Sequence, residues 1–446
     1  MKDFLKRLLD LTVITILIQI GRVAEALTES AKRLGSGVHL FVPGWFKPFL
    51  PQIYLVYGIE STQAVLDDED RAFGGSDPKF GWVLAFTGYG TDDNRRNAMM
   101  EVRDVSADRD MRAESVRFLS PRVEHVCTQL QQGQSRVFNA TTMFAPLFHE
   151  AALHLVSPHI RLRPEIVKAW NIYAVEAAKV LVSQLPLWAC KLWYPKLMRS
   201  RSLLRFELTK AVRKERKNQY KLRREYPSYG LIGQMVASGQ LNDEIIVDAA
   251  FAALFAAQET TLRVLVALLH NLAENKEAGD AVYEELQGVL AQNNEDVLAS
   301  MPQSRGAGFT KTYAAIMATL WRSPPVPGTL RVATKETTVS GTTIPAGSLM
   351  QLNFCEASRL RDGKSGTMPF EPKRFENDSE MIRLAMQVGF GAGLKTCPGQ
   401  NMALQWLSLV LLHLVKAGVR CSAQGPFPSL VAGLTMRPSG PVYLNT

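Results

Sequence analysis

Cysteine is scarce in this chain: five residues among 446, at positions 127, 190, 355, 397 and 421. They are odd in number and widely scattered, so the sequence offers neither a disulfide framework nor a clustered zinc site. A reduced, intracellular setting is expected. Internal repeats and low-complexity tracts are also missing, and no flavin, iron–sulfur or nucleic-acid motif is present. The N-terminal apolar run, Leu8 to Ile20, is interrupted by Asp10, Thr12, Thr15 and Gln19. It falls short of the about 20 residues that a membrane-spanning helix needs. With Lys2, Lys6 and Arg7 before it, it admits three readings: a signal-peptide core, a membrane-surface helix, or the start of an ordinary amphipathic helix running to Leu34.

What is present is a large apolar fraction, 46% of residues, enough for a sizeable core, and a net charge of +9. That charge is local. Lys191 to Glu225 contains thirteen basic residues against three acidic ones, a stretch that suits an anionic membrane surface or a solvated helix. It carries too few aromatic residues, and no motif, for nucleic acid. Between Pro121 and Pro195 the pattern is helical. His149, Glu150 and His154 lie there, but their spacing does not match a metal-binding helix. Gln52 to Tyr57 reads as a short strand followed by a helix, and Asp92 to Arg103 as a polar helix.

The chemistry concentrates near the C-terminus, in the run from Gly389 to Val415, GFGAGLKTCPGQNMALQWLSLVLLHLV. Glycines at 389, 391 and 393 permit tight turns or close approach of a flat ligand, and Pro398 suits a first helical turn. Cys397 is thereby expected at a helix N-terminus, where amides and dipole favour a thiolate. A redox pair needs a second cysteine where Gln400 stands, and a phosphatase loop needs an arginine where Ala403 stands; neither fits. An inert buried cysteine leaves the glycine loop unexplained. A single soft ligand to haem iron remains.

A second stretch, Leu241 to His270, is apolar nearly all round, with Asn242 as N-cap, and should be a buried helix. Glu259, Thr260 and Thr261 place an acid and hydroxyls in its middle, which is costly unless they serve a purpose. Small residues at 252, 253, 256 and 257 would let a flat macrocycle lie against it.

The positions Phe390, Gly393, Lys395, Cys397 and Gly399 resemble the haem-binding loop of the cytochrome P-450 family, F-x-x-G-x-[HR]-x-C-x-G, departing at Lys395. Residues 256–261, AAQETT, resemble the family's oxygen-activation segment, with Ala257 for the usual glycine. Pro324 to Pro327 and the run FEPKRF (370–375) resemble its proline turn and meander. The E-x-x-R pair expected before that turn is absent: its positions hold Ala318 and Trp321. Arg374 is left without the family's usual partners, so either another acid has moved in or packing around Trp321 has replaced the network.

The resemblance implies a mainly α fold with a small β-region, with residues 36–446 as one haem-thiolate domain behind an N-terminal segment at 1–35. It implies haem (iron protoporphyrin IX) with Cys397 as axial thiolate. The macrocycle would contact Phe390, Gly391, Gly393, Gly399 and Ala256, and Arg331 and Lys395 would face its propionates; Arg95, Arg96 and Arg103 are weaker candidates, since the family's W-x-x-x-R spacing is missing there. Thr260 would hydrogen-bond dioxygen and Glu259 would relay protons. The implied reaction is oxygen insertion into an apolar small molecule of lipid or secondary-metabolite class, with electrons from a separate reductase. The alternatives are a thiolate-haem isomerase or dehydratase, and a degenerate haem binder. The pocket is expected to be lined by residues 74–90, 326–330 and 430–434, with Phe255 facing it. A membrane-surface location, the endoplasmic reticulum in a eukaryote, accompanies this reading.

Overall fold

A computed structural model describes residues 34–42, 52–67, 73–74, 93–132, 137–183, 191–222, 230–291, 309–361, 368–393, 396–432 and 435–446. The apolar run at 8–20, Arg95 and Arg96, the loop at 75–92 and Lys395 therefore lie outside the described residues or side chains. Helices dominate. They are α1 (Ile59–Leu66), α2 (Asp93–Ala107), α3 (Arg109–Gln131), α4 (Ala140–Val156), α5 (Pro164–Ser183), α6 (Pro195–Leu222), α7 (Gly230–Ser238), α8 (Asp243–Glu274), α9 (Lys276–Ala291), α10 (Thr310–Arg322), α11 (Phe354–Arg361), α12 (Ser379–Phe390) and α13 (Gln400–Lys416).

The principal sheet has strand order β1-β2-β8-β5-β3, with β1 (Gly37–Val42), β2 (Ile53–Tyr57), β3 (Phe73–Gly74), β5 (Gly328–Ala333) and β8 (Leu349–Asn353); smaller sheets pair β6 (Thr337–Val339) with β7 (Thr342–Ile344), and β4 (Val137–Asn139) with β12 (Tyr443–Asn445) and β9 (Ser422–Ala423). Within it β2 and β8 run parallel, Tyr54 opposite Met350, and the other pairs are antiparallel. Such a parallel pair joins distant parts of the chain, so the sequence of β2 alone did not announce its neighbour.

The organising element is α8. Asn242 caps it, its Oδ1 accepting from Ile245 N at 2.9 Å, with Asp243 and Glu244 in the first turn. By length and composition it is apolar enough to cross a membrane, but it is a core helix, flanked by α4, α6, α9, α10 and α13. Two apolar clusters meet along it. Leu262 and the residues beyond pack with α10, α12 and α13, whereas Ile245 to Phe255 pack with α5, α6 and α7. Ion pairs to α6 secure the second half-core: Arg205 with Asp248, and Arg216 Nε with Asp243 at 3.0 Å.

Candidate active site

From Ile245 to Asn271 every residue of α8 is buried except Ala253, Ala256, Ala257, Thr260 and Arg263. Their spacing of three, four, seven and ten residues puts them on one stripe. Ala256 and Thr260 belong to neither apolar cluster and mark the seam between them. A helix otherwise sealed by side chains is thus open along a line of small residues. The Thr260 hydroxyl on that line donates to Ala256 O at 2.7 Å. Glu259 points elsewhere: it is buried, and its Oε2 accepts from Arg263 Nη2 at 2.8 Å and Nε at 3.2 Å. His149 of α4 feels both charges, although burial is the larger influence and lowers its pKa. Phe255, expected to face the opening, instead packs on Trp170 and Tyr173 with ring centroids 5.8 and 5.6 Å away.

The cysteine loop begins where α12 ends. Gly391 caps that helix, its N–H donating to Gln387 O at 2.8 Å. The chain then folds back so that Cys397 N donates to Phe390 O at 2.7 Å, while Thr396 N donates to Gly393 O at 3.2 Å. Gly393 is required here twice over. Its φ is +68°, and a Cβ would lie 2.3 Å from the Leu66 carbonyl oxygen. Helix α13 starts at Gln400 with Gly399 as N-cap, so Cys397 and Pro398 form the turn before the helix rather than its first turn. Burial raises the Cys397 thiol above its ordinary pKa, and the Gly399 N–H directed at the sulfur opposes that rise. The residues from Phe390 to Gln400 that are described, Gly393 aside, are all only partly buried. Like the stripe on α8, they are neither core nor free surface.

Arg331, in β5, is buried, with Nη1 donating to Leu330 O at 2.9 Å and to Thr329 Oγ1 at 3.1 Å. The proline turn before it is tied to the C-terminal hairpin, β10 (Leu430–Ala432) and β11 (Met436–Pro438), by Met436 N donating to Pro325 O at 2.8 Å.

Sequence reasoning passed over Arg112. It stands in the first turn of α3, 5% exposed, and its Nε and Nη1 have no hydrogen-bond partner among the described residues. One turn on, Ser115 Oγ accepts from Trp406 Nε1 at 2.6 Å, locking this part of α3 onto α13, the helix that follows the cysteine loop. A buried guanidinium with orphaned donors is expensive and calls for an anion. The available signal was the spacing: Arg112 lies four residues after Asp108, the N-cap whose carboxylate accepts from Met111 N at 2.9 Å. Because Asp108, and not tryptophan, stands four residues before it, the W-x-x-x-R spacing did not single Arg112 out. Arg103, on the preceding α2, is exposed.

The donor set therefore fits haem: a soft sulfur on a glycine loop, a stripe of small residues for a flat face, and a buried cation awaiting a carboxylate. Among the described residues no cluster of His, Cys, Asp and Glu suited to a metal ion is present.

The Cytochrome P450 family model matches residues 55–417. The chain belongs to the cytochrome P450 family. Among curated proteins it is 28% identical over 223 residues to taxoid 7-beta-hydroxylase of Taxus cuspidata, covering 48% of this chain and 44% of the relative. It is 29% identical over 203 residues to cytochrome P450 26A1 of Gallus gallus, covering 45% and 40%. The matched stretches thus span less than half the length of either relative. Solved P450 structures share the fold over nearly the whole chain. The cytochrome P450DA heme domain matches with TM-score 0.72 at 15% identity, covering 95% of this chain and 93% of that one. Retinoic acid bound cyanobacterial CYP120A1 matches with TM-score 0.69 at 17% identity, covering 94% and 96%. The mainly helical P450 fold with small sheets is thereby established. The E-x-x-R substitution stands inside a P450 fold, with Ala318 and Trp321 both 2% exposed and the Arg374 guanidinium 5.8 Å from the Trp321 ring centroid.

Proposed function

We propose that this chain is a haem-thiolate monooxygenase that inserts oxygen into an apolar small molecule, using dioxygen and electrons from a separate reductase. The observations that carry the proposal are a half-buried sulfur on a glycine loop, a buried arginine with two donors unpartnered among the described residues, and a hydroxyl on the partly covered stripe of α8, all in a chain of P450 fold. Haem bound here supplies dioxygen binding and O–O cleavage, helped by electron density from the thiolate. Cys397 would hold the iron. Arg112 would meet a propionate, with Arg331 and Lys395 as further candidates, and Phe390, Gly391, Gly393, Gly399 and Ala256 would line the macrocycle. The Thr260 Oγ1, now donating to Ala256 O, is the hydroxyl on the open stripe and would offer its hydrogen there. Glu259 would act as proton reservoir only when its carboxylate leaves Arg263, so Arg263 governs that step.

The names of the relatives, taxoid 7-beta-hydroxylase and abscisic acid 8'-hydroxylase of Solanum lycopersicum among them, support an apolar, lipid-like or secondary-metabolite substrate. The Glu259–Thr260 pair disfavours an isomerase or dehydratase. Contact with an anionic membrane surface is supported by the exposed face of α6 and the residues before it. Leu192, Trp193 and Phe206 are more than half exposed there, and Lys196, Arg213 and Lys217 are exposed on α6 itself.

The test is the spectrum of the haem-loaded protein, reduced and treated with carbon monoxide. A red-shifted thiolate band in the wild type that disappears in Cys397→Ala is expected. Absence of the band in the wild type, or its survival in the variant, overturns the proposal.

A further inference from the structure

The neighbours of Trp321 link it to the segment of chain that carries Cys397. Trp321 lies in the last turn of α10, 2% exposed. The Arg374 guanidinium sits 5.8 Å from its ring centroid, and the Phe375 ring packs at 6.4 Å with a 56° tilt. Arg374 and Phe375 belong to the 3-10 turn Pro372–Phe375, from which the chain passes through the Asp378 N-cap into α12.

The far end of α12 is gripped by the same turn of α10. Leu320 presses on Gly389 so closely that a Cβ there would lie 2.9 Å from Leu320 Cδ1. The next residue, Phe390, supplies the carbonyl that accepts from Cys397 N at 2.7 Å. Leu320 and Trp321 therefore fix both ends of the segment that delivers the sulfur.

The opposite face of α10 is pinned to α8. Arg322 Nη1 donates to Asn271 Oδ1 at 2.9 Å and lies 3.6 Å from Glu274, and Asn271 Nδ2 donates to Thr319 Oγ1 at 3.3 Å. Helix α10 is thus the spacer between the helix bearing Thr260 and the loop bearing Cys397.

We propose that Trp321 is a positioning residue for the Cys397 thiolate. Its π face holds Arg374 and so anchors α12 against α10, in a chain whose α10 carries Ala318 and Trp321 where an acid and an arginine would form an ion-pair network. An arginine over a shielded indole is held electrostatically as well as by packing. Removal of the π face should therefore loosen the loop even when apolar bulk is kept. The inference rests on the haem-thiolate reading, and its test separates the two.

The variants are Trp321→Leu, Trp321→Phe, Arg374→Met, Arg374→Lys and the double Trp321→Leu/Arg374→Met. Each is loaded with haem, reduced under carbon monoxide, and followed for the lifetime of the thiolate band. Trp321→Leu and Arg374→Met are expected to shorten that lifetime about fivefold. Trp321→Phe and Arg374→Lys should retain most of it, and the double variant should be no worse than the poorer single one. A lifetime in Trp321→Leu within about twofold of wild type overturns the proposal, as does additivity in the double variant. A lower unfolding midpoint with an unchanged thiolate lifetime reduces Trp321 to packing and overturns it too. Should Trp321→Leu fail to fold, Arg374→Met against Arg374→Lys decides the matter. If the wild type itself shows no thiolate band, the haem-thiolate reading has failed. Urea unfolding of the cofactor-free set then judges the contact: non-additivity of Trp321→Leu and Arg374→Met sustains it, and additivity overturns it.

Discussion

Replacing Arg112 by leucine is expected to move two states of this protein in opposite directions. The Arg112 Nε and Nη1 are buried and have no hydrogen-bond partner among the described residues. Leaving a donor so placed costs at least about 1–3 kcal/mol, and more when the group is charged. Leucine keeps much of the apolar stem and removes that penalty, so the cofactor-free protein should gain stability of about that size, less whatever packing the longer side chain provided. With haem bound, the same arginine is expected to donate charge-assisted hydrogen bonds to a propionate, worth about 1.5–3 kcal/mol each. Loss of one such bond corresponds to about 10- to 100-fold weaker haem retention. Arg112→Lys should fall between, since it keeps the charge and loses the planar fork. Urea unfolding of the cofactor-free variants and the rate of haem transfer to an excess of haem-free globin measure the two effects. A cofactor-free Arg112→Leu that is less stable than wild type, together with unchanged haem release, would refute the assignment.

Thr260→Ala should leave haem bound but divert reducing equivalents to peroxide, because the hydroxyl handles protons and does not hold iron; peroxide yield per electron consumed measures it, and unchanged coupling counts against the role. Gly393→Ala combines a left-handed backbone with a Cβ 2.3 Å from Leu66 O, so a loss above about 2 kcal/mol is expected, read as lower haem content and melting temperature. Burial holds the pKa values of His149, His154 and His413 below the ordinary 6.5, despite Glu259 beside the first, Glu114 beside the second and Glu124 beside the third. Below pH 6.5 the unfolded chain then binds protons that the folded chain does not, so stability should fall as pH drops through that value, and His413→Gln should flatten part of the slope of melting temperature against pH. Trp193→Ser with Lys196→Glu and Lys217→Glu should weaken binding to anionic lipid vesicles in a sedimentation assay; unchanged binding would return α6 to a solvated face.

The sequence alone determined the parts whose physics is local. The Asn242 cap, the continuous apolar surface of α8 and the left-handed backbone that Gly391 permits each act through neighbours within a few residues, and the observed helix at Asp243–Glu274 and the turn at Gly391 follow from them, whereas the demand for glycine at 389 and 393 comes from the distant Leu320 and Leu66. Even the buried cost of Glu259 was legible from its surroundings, although its partner Arg263, one turn away, was missed. Tertiary structure decided everything that depends on which distant surfaces meet. The parallel pairing of β2 with β8, and the division of α8 between two cores that leaves Ala256 and Thr260 at the seam, are long-range contacts that no local pattern encodes. Arg112 is the clearest case, because in sequence it is one of many arginines on polar helices. It is buried on a helix that packs onto α13 through Ser115 and Trp406, and its Nε and Nη1 find no hydrogen-bond partner among the described residues. That unmet electrostatic demand is a property of the assembled fold.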